Sequence, residues 1–256
     1  MDPTFASSVA GYLSILCWLI VFTPQLWENY RRKSGEGLSM TFLVVWLAGD
    51  VFNLLGVIMQ DLLVTMFVLA LYYTIADMGL IWQVIYYRRR LEEEEVMAQE
   101  TSPLLASTSH VLDQKKARHT SLLNIMSAIS IVLVTIISCY AYYRTHDNQD
   151  KLEGFQWLPQ LMGWSSAILY VGSRVPQILK NYRNKSTEGL SFGMFLCAVM
   201  GNVFFTSSIF LKSTELDYII VNLSWIVGSC GTLVFDFIIF LQFFVYDDRK
   251  QIKVIV

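Results

Sequence analysis

The hydrophobic positions of this chain fall into long blocks that are separated by short polar segments. A helix needs about 20 mostly apolar residues to cross a hydrocarbon core of about 30 Å, and seven blocks meet this requirement. The pattern therefore predicts an all-α membrane protein with seven transmembrane helices. The predicted spans are Val9–Trp27, Leu38–Met59, Leu62–Tyr87, Ser121–Tyr143, Trp157–Tyr182, Leu190–Leu211 and Tyr218–Tyr246.

The composition agrees with a membrane location. The 256 residues are 54% hydrophobic and only 16% charged, which is outside the range of an ordinary soluble domain. The sequence shows no nucleophile with a matching base, no phosphate-binding loop and no histidine or cysteine spacing typical of a metal site. We therefore expect no enzyme, no metal, no cofactor and no nucleic-acid partner, and we expect contact with membrane lipid.

The positions of the basic residues predict the orientation of the chain, because Lys and Arg near helix ends favour the cytosolic side. The junctions after spans 1, 3, 5 and 7 carry 3, 6, 3 and 3 lysines and arginines, with Lys180 in the last turn of span 5 counted at its junction. The opposite side holds Arg144, Lys151 and Lys212, and the remaining basic residue, Arg174, lies inside the fifth span. The amino terminus should therefore face the lumen or exterior, and the carboxyl terminus the cytosol.

One sixteen-residue segment occurs twice in the chain. PQLWENYRRKSGEGLS runs from Pro24 to Ser39, and PQILKNYRNKSTEGLS runs from Pro176 to Ser191, with eleven identical positions at an offset of 152. The same offset places Asp50 of the second span on Asn202 of the sixth. The third and seventh spans match at an offset of 159. An internal repeat of this length indicates two equivalent structural units.

The repeat predicts two three-helix units joined by an extra helix, a 3+1+3 arrangement. Because the copies are four helices apart, they enter the membrane in the same direction and form a parallel repeat about an axis along the membrane normal. Two such bundles enclose a cavity that opens alternately to each side when they rock, and a static scaffold is the alternative. The predicted regions are the first repeat at 1–87, a cytosolic loop at 88–120, a linker helix at 121–143, the second repeat at 157–246 and a cytosolic tail at 247–256.

The predicted cytosolic loop is the most polar part of the chain. It begins with three consecutive arginines, which are followed by a run of four glutamates, a Ser/Thr/Pro stretch and a second basic cluster at Lys115–Arg118, and this composition is typical of a mobile segment. Within it, Glu100, Leu104 and Leu105 resemble the acidic dileucine signal that adaptor complexes read on proteins bound for lysosomes or vacuoles. An adaptor complex is therefore a candidate partner.

Each copy of the repeat begins with a Pro-Gln dipeptide at the end of an apolar span. A proline inside a helix removes a backbone donor and clashes with the carbonyl four residues earlier, so we expect kinks at Pro24 and Pro176 that act as hinges. Gln25 and Gln177 supply a donor and an acceptor for the backbone groups that a kink frees in the membrane. The alternative is that both prolines merely bend their helices.

These motifs resemble those of the PQ-loop membrane proteins, which include the SWEET sugar transporters, the cystine transporter cystinosin and the lysosomal and vacuolar cationic amino acid transporters. The resemblance covers all seven predicted helices. Gly49-Asp50 and the GTLxxDxxIxxQF pattern from Gly231 to Phe243 are most similar to the cationic amino acid exporters. The resemblance implies export of arginine, lysine or histidine from an acidic lysosome or vacuole into the cytosol.

Ionisable groups inside a membrane are costly and usually functional. The predicted spans contain three carboxylates, Asp50, Asp77 and Asp236, but only one buried cation, Arg174. This surplus of negative charge favours a cationic ligand over a neutral sugar. Because Asp50 is replaced by Asn202 in the second copy, we expect it to serve a task such as binding or protonation that only one copy needs. Proton coupling is a further expectation.

Neighbouring polar and aromatic side chains complete the predicted site. Asn53 and Asn202 are candidates for binding the backbone groups of an amino acid, and Tyr73 or Trp46 for covering a guanidinium by a cation–π contact. The structural alternatives are core packing for the aromatics and a simple pairing of Arg174 with one aspartate. For Asp77 and Asp236, which recur at equivalent positions of the two copies, the alternative is a structural role in holding helices together. The predicted substrate and proton pathway comprises Asp50, Asn53, Tyr73, Asp77, Arg174, Asn202 and Asp236.

Two other functions fit part of this pattern. A seven-helix amino acid sensor or receptor would signal through the cytosolic loops, and a transporter of a neutral substrate such as a sugar would share the fold. The repeat argues against a conventional G-protein-coupled receptor, because such receptors are not built as duplicated three-helix units.

Overall fold

The structure is a computed structural model that describes residues 3–59, 64–100, 109–147 and 157–252. Every regular element in these ranges is an α-helix, as the apolar blocks predicted. The helices are α1 (Pro3–Ile20), α2 (Thr23–Arg32), α3 (Met40–Met59), α4 (Val64–Glu100), α5 (Ser109–Asp147), α6 (Trp157–Asn184), α7 (Phe192–Lys212), α8 (Leu216–Val221) and α9 (Leu223–Ile252).

Six stretches of the described helices are long and apolar enough to cross a membrane. They are Thr4–Arg32, Met40–Met59, Met66–Glu92, Ser121–Thr145, Phe192–Lys212 and Leu223–Tyr246, and each overlaps a predicted span. The remaining prediction falls on α6, which has 28 residues and is long enough, but is less apolar than the other six. Buried polar residues such as Arg174 and Gln177 account for part of this difference.

Two predicted spans are interrupted. The first was expected to run unbroken from Val9 to Trp27, but α1 ends at Ile20 and α2 begins at Thr23, which places Pro24 in the first turn of α2. Proline is tolerated there because the first N–H groups of a helix have no intrahelical acceptor. The last predicted span begins with the six-residue helix α8, and a turn at Asn222 separates it from α9.

The segment 88–120, expected to be a loop, is helical at both ends. Helix α4 continues through Glu100 and α5 begins at Ser109. The expected loop is rich in Glu, Arg, Lys, Ala and Leu, which are strong helix formers, so helix propensity outweighs the polar composition. Leu104 and Leu105 of the dileucine motif lie outside the described residues. Helix α9 likewise continues to Ile252, into the region predicted as a tail.

The two units pack crosswise. The first helix of the first unit, α1, packs mainly against α7 of the second unit, and α3 packs mainly against α6. Helix α4 flanks α3, and α9 flanks α6 and α7. The main hydrophobic cluster lies between the units and joins α3 and α4 to α7 and α9. Any functional group at this interface is therefore shared by both copies of the repeat.

Helix α5 is the most peripheral of the candidate spans. Only 6% of its apolar window is buried inside the protein, as expected for a helix that faces lipid. It is attached to α3 and α4 through a small second cluster, in which the rings of Phe67 and Tyr142 stack with centroids 4.3 Å apart. This placement leaves the interface between the two units to the other helices.

Candidate functional site

A buried ion pair lies in the second unit. Arg174 of α6 and Asp236 of α9 are 1% and 0% exposed, and Nε of Arg174 donates to Oδ1 of Asp236 over 3.2 Å. The Nη1 atom of Arg174 also donates to Ser173 Oγ at 2.9 Å and to the carbonyl oxygen of Tyr170 at 3.2 Å. A charge removed from water needs such partners, and the structure shows Arg174 paired with Asp236.

The guanidinium of Arg174 also lies against aromatic rings of the first unit. Its Cζ atom is 5.0 Å from the ring centroid of Trp46 and 5.8 Å from that of Phe42, both on α3. These distances are within the range of a cation–π contact. Phe22, the counterpart of Arg174 at the repeat offset, packs on Trp46 with centroids 5.2 Å apart. The two copies thus place an aromatic ring and a cation around the same tryptophan.

Asp50 and its counterpart Asn202 have different partners. Tyr170 Oη of the second unit donates to Asp50 Oδ1 over 2.6 Å, whereas Asn202 donates through Nδ2 to Thr232 Oγ1 within its own unit, over 2.9 Å. A Cβ atom at Gly49 would lie 2.8 Å from the ring of Tyr170, so the glycine permits the close approach. The acid of the first copy is therefore held by the second copy.

Several carboxylate oxygens of this cluster have no hydrogen-bond partner. Among the described residues, both oxygens of Asp77 and the Oδ2 atoms of Asp50 and Asp236 are buried and unpartnered. Asp77 is 0% exposed and lies within electrostatic range of Asp50 and Arg174. Buried acceptors are normally satisfied, so three acids around one cation leave capacity for a further donor or a proton.

The glutamine of each Pro-Gln dipeptide binds the loop of the other unit. Gln25 donates through Nε2 to the carbonyl oxygen of Gly189 at 2.9 Å and accepts from the N–H of Ser191 at 2.7 Å. Gln177 repeats the arrangement with Gly37, at 3.0 Å, and with Ser39, at 2.7 Å. We call residues 33–39 and 185–191, which meet here, the loop crossing.

A second amide supports each of these glutamines. Asn29 accepts from Gln25 and donates to Gln83 of α4, over 2.8 and 3.0 Å. In the second unit, Asn181 accepts from Gln177 and donates to Gln242 of α9, each over 2.8 Å. The loop crossing is thereby connected by hydrogen bonds to the outer helix of each unit.

Comparison with known proteins identifies this architecture. The model of the PQ loop repeat matches residues 6–66 and 158–218. The chain is 39% identical to the vacuolar lysine transporter YPQ1 of Saccharomyces cerevisiae, over 98% of this chain and 96% of that protein. The chain belongs to the PQ-loop family.

Other PQ-loop relatives are similar over nearly the whole chain. The vacuolar histidine transporter YPQ3 of Saccharomyces cerevisiae is 37% identical, over 98% of this chain and 95% of the relative. The human lysosomal amino acid transporter 1 homolog is 31% identical, over 94% of this chain and 82% of its own length. By their names, these relatives are amino acid transporters of vacuoles and lysosomes.

The structure gathers most of the predicted pathway residues of this PQ-loop protein. Asp50, Asp77, Arg174 and Asp236 lie in or beside the polar cluster. Asn202 of α7 donates to Thr232 of α9 and not to a member of this cluster, and Asn53 is half-buried on α3. Tyr73 packs on Trp18, Phe22 and Tyr72 instead of on Arg174. The roles of these residues in transport stay predictions.

Some residues of these hydrogen-bond networks are not among the predicted site residues. Asn29 and Asn181 are identical positions of the repeated motif, and Gln83 and Gln242 superpose at the offset of 159, so the repeat itself was the signal that identifies them. Tyr170 gave no such signal, because its counterpart in the first copy is Trp18.

Proposed function

We propose that this PQ-loop protein transports the cationic amino acids arginine, lysine and histidine from the lumen of a vacuole or lysosome to the cytosol. The buried cluster carries the proposal: Asp236 pairs with Arg174, Asp50 and Asp77 are buried within electrostatic range of it, and among the described residues several oxygens of these carboxylates have no donor. Such a site favours a cation over a neutral solute. The printed names of relatives, a lysine and a histidine transporter among them, support the same substrate class.

Alternating access in a 3+1+3 bundle is the proposed mechanism. In this proposal the loop crossing is the cytosolic gate, because it carries basic residues and joins the two units through Gln25 and Gln177. Pro24 and Pro176 lie beside these glutamines and serve as hinges. Opening the gate requires the glutamine bonds between the units to break.

Proton coupling is part of the proposal. Asp77 is the carboxylate to test for proton exchange, because neither of its oxygens has a hydrogen-bond donor in the described part of the chain. A proton that moves with the substrate would use the acidity of the lumen to drive export. Adaptor recognition of the segment from Glu100 to Leu105 is a separate proposal for delivery to the organelle.

The test is uptake by purified protein in proteoliposomes that impose a defined pH on each side. We expect labelled lysine, arginine and histidine to enter, and excess unlabelled arginine to compete, whereas glucose and leucine do not. Faster uptake from the acidic side supports proton coupling. Competition by glucose would favour a sugar transporter, and the absence of flux for all three amino acids would overturn the proposed function.

A further inference from the structure

The ion pair of Arg174 has the chemistry of a binding site for a guanidinium. Asp236 supplies a carboxylate, Tyr170 a backbone carbonyl, and Trp46 a flat aromatic face, all around one cation. These are the groups that recognise an arginine side chain in any protein. Arg174 itself fills the site, and it is almost completely buried.

From this geometry we infer that Arg174 is a tethered substitute for the substrate. In the closed protein its guanidinium occupies the subsite that takes the side-chain cation of the amino acid, and the incoming cation displaces it. This inference rests on the proposed function, because it assigns a subsite to the substrate of that transporter. It identifies Arg174 as a specificity-determining residue, since a neutral amino acid has no cation with which to replace it.

The asymmetry of the repeat supports displacement instead of permanent pairing. The position equivalent to Arg174 in the first copy holds Phe22, and the position equivalent to Trp46 in the second copy holds the small Ala198. A charge is therefore not required at this point for the two units to pack. Arg174 is the cation that the second copy contributes, and the aromatic face that covers it, Trp46, comes from the first copy, where Phe22 also packs on it.

The tether also explains how the empty carrier returns. Without substrate, a site with three carboxylates and no cation would bury uncompensated charge as the units close, which is costly in low dielectric. Arg174 supplies one cation on a side chain that cannot leave. The empty site can then close and reorient. Net transport requires this return of the empty site, whereas exchange of one substrate molecule for another does not require it.

This difference between net uptake and exchange gives the decisive measurement. In proteoliposomes, we expect Arg174→Ala to lower net uptake of labelled lysine into lysine-free vesicles by at least about tenfold more than it lowers the exchange of external labelled lysine for internal lysine. Arg174→Lys retains a tethered cation and should keep net uptake. Equal loss of exchange and net uptake in Arg174→Ala would overturn the inference, because Arg174 would then bind substrate or support the fold.

Chemical rescue tests the same subsite without transport. Ethylguanidinium restores the atoms that Arg174→Ala removes beyond Cβ, so it should raise the thermal unfolding temperature of the purified variant and leave the wild type unchanged. The uncharged isostere N-ethylurea should have no effect. The rescue should disappear in Arg174→Ala/Asp236→Asn. A lack of stabilisation by ethylguanidinium in folded Arg174→Ala would overturn the tether.

If Arg174→Ala does not fold, Arg174→Lys decides the question. A lysine ammonium lacks the planar fork that matches this site, so it competes less well with a free guanidinium. We expect Arg174→Lys to bind L-arginine about tenfold more tightly than the wild type, measured by intrinsic tryptophan fluorescence. Unchanged or weaker binding would overturn the inference. If ethylguanidinium stabilises Arg174→Ala but the wild-type protein moves no amino acid, the guanidinium subsite stands and the proposed transport function is wrong.

Discussion

Gly37 and Gly189 lie backbone against backbone at the loop crossing. A Cβ atom on Gly37 would be 2.0 Å from the carbonyl carbon of Gly189, which no side chain can accommodate without separating the loops. The two glycines occupy equivalent positions of the repeat, and each carbonyl oxygen accepts from the glutamine of the opposite unit. The contact between the two loops therefore depends on two glycines without side chains and on two amide side chains.

Gly37→Ala should hold the gate partly open. The added methyl group meets backbone, and overpacking of this kind costs about 1–3 kcal/mol. Such a cost shifts the balance between closed and open forms by about 5–150-fold, and we expect lysine uptake to fall by a similar factor. Gly11→Ala is the matched control, because a Cβ atom added at Gly11 would have no neighbouring atom within 4 Å. Normal uptake by Gly37→Ala would show that the loops do not need this contact.

Gln25→Leu and Gln177→Leu should impair transport to a similar extent. Each removes a bond to a carbonyl of the other unit and leaves a buried N–H, of Ser191 or Ser39, without its acceptor, at a cost of about 1–3 kcal/mol. Gln160→Leu is the control, since that half-buried glutamine belongs to a Pro-Gln dipeptide that the repeat does not duplicate. Lysine uptake by the three variants measures the difference, and equal activity of all three would show that transport does not depend on the glutamine bonds at the loop crossing.

Asp50→Asn should weaken binding of cations without unfolding the protein. The amide keeps the shape of the carboxylate and an acceptor for Tyr170, as Asn202 shows that the equivalent position tolerates it. Loss of a charged partner is worth about 1.5–3 kcal/mol, so we expect the KM for lysine to rise by about 10–100-fold. Neutralising the exposed Glu215 with glutamine is the control and should leave KM unchanged.

Arg174 and Asp236 should show strong coupling in stability. Removing one partner of a buried pair leaves an uncompensated charge and costs about 3–5 kcal/mol, so Arg174→Met and Asp236→Asn should each lower the unfolding temperature. The double variant leaves no member of the pair charged and should be more stable than the sum of the single effects predicts. Thermal unfolding in detergent measures this, and simple additivity would show that the pair does not interact.

Pro176→Ala should slow transport without weakening substrate binding. Pro176 lies inside the continuous helix α6, where alanine restores a backbone donor and stiffens the helix. Pro24→Ala tests the other unit, in which the chain is already interrupted between α1 and α2. Pro159→Ala is the control because that proline lies in the first turn of α6. Uptake rates equal to the wild type for both variants would remove the hinge from the mechanism.

The helical content and the register of the repeat follow from the sequence, because the length of each apolar block and the offset between the two copies can be read directly along the chain. The interruptions at residues 21–22 and at Asn222 did not follow, since the residues around both are apolar enough to continue a span. The sequence predicted that Asp50, Asp77, Asp236 and Arg174 share a site, but not that Arg174 selects Asp236. Partner choice depends on how α6 and α9 are rotated about their axes, and periodicity does not encode this.

The sequence by itself determined an all-α membrane chain, a duplicated unit and an inventory of three buried acids and one buried base. Each of these rests on residue type and spacing within one segment. Only the tertiary structure decided that α1 packs on α7 and α3 on α6, so that Gln25 reaches the loop of the opposite unit and Trp46 covers Arg174. Such contacts join residues more than 100 positions apart, and they arise from the crosswise packing of two units, which neither copy specifies alone.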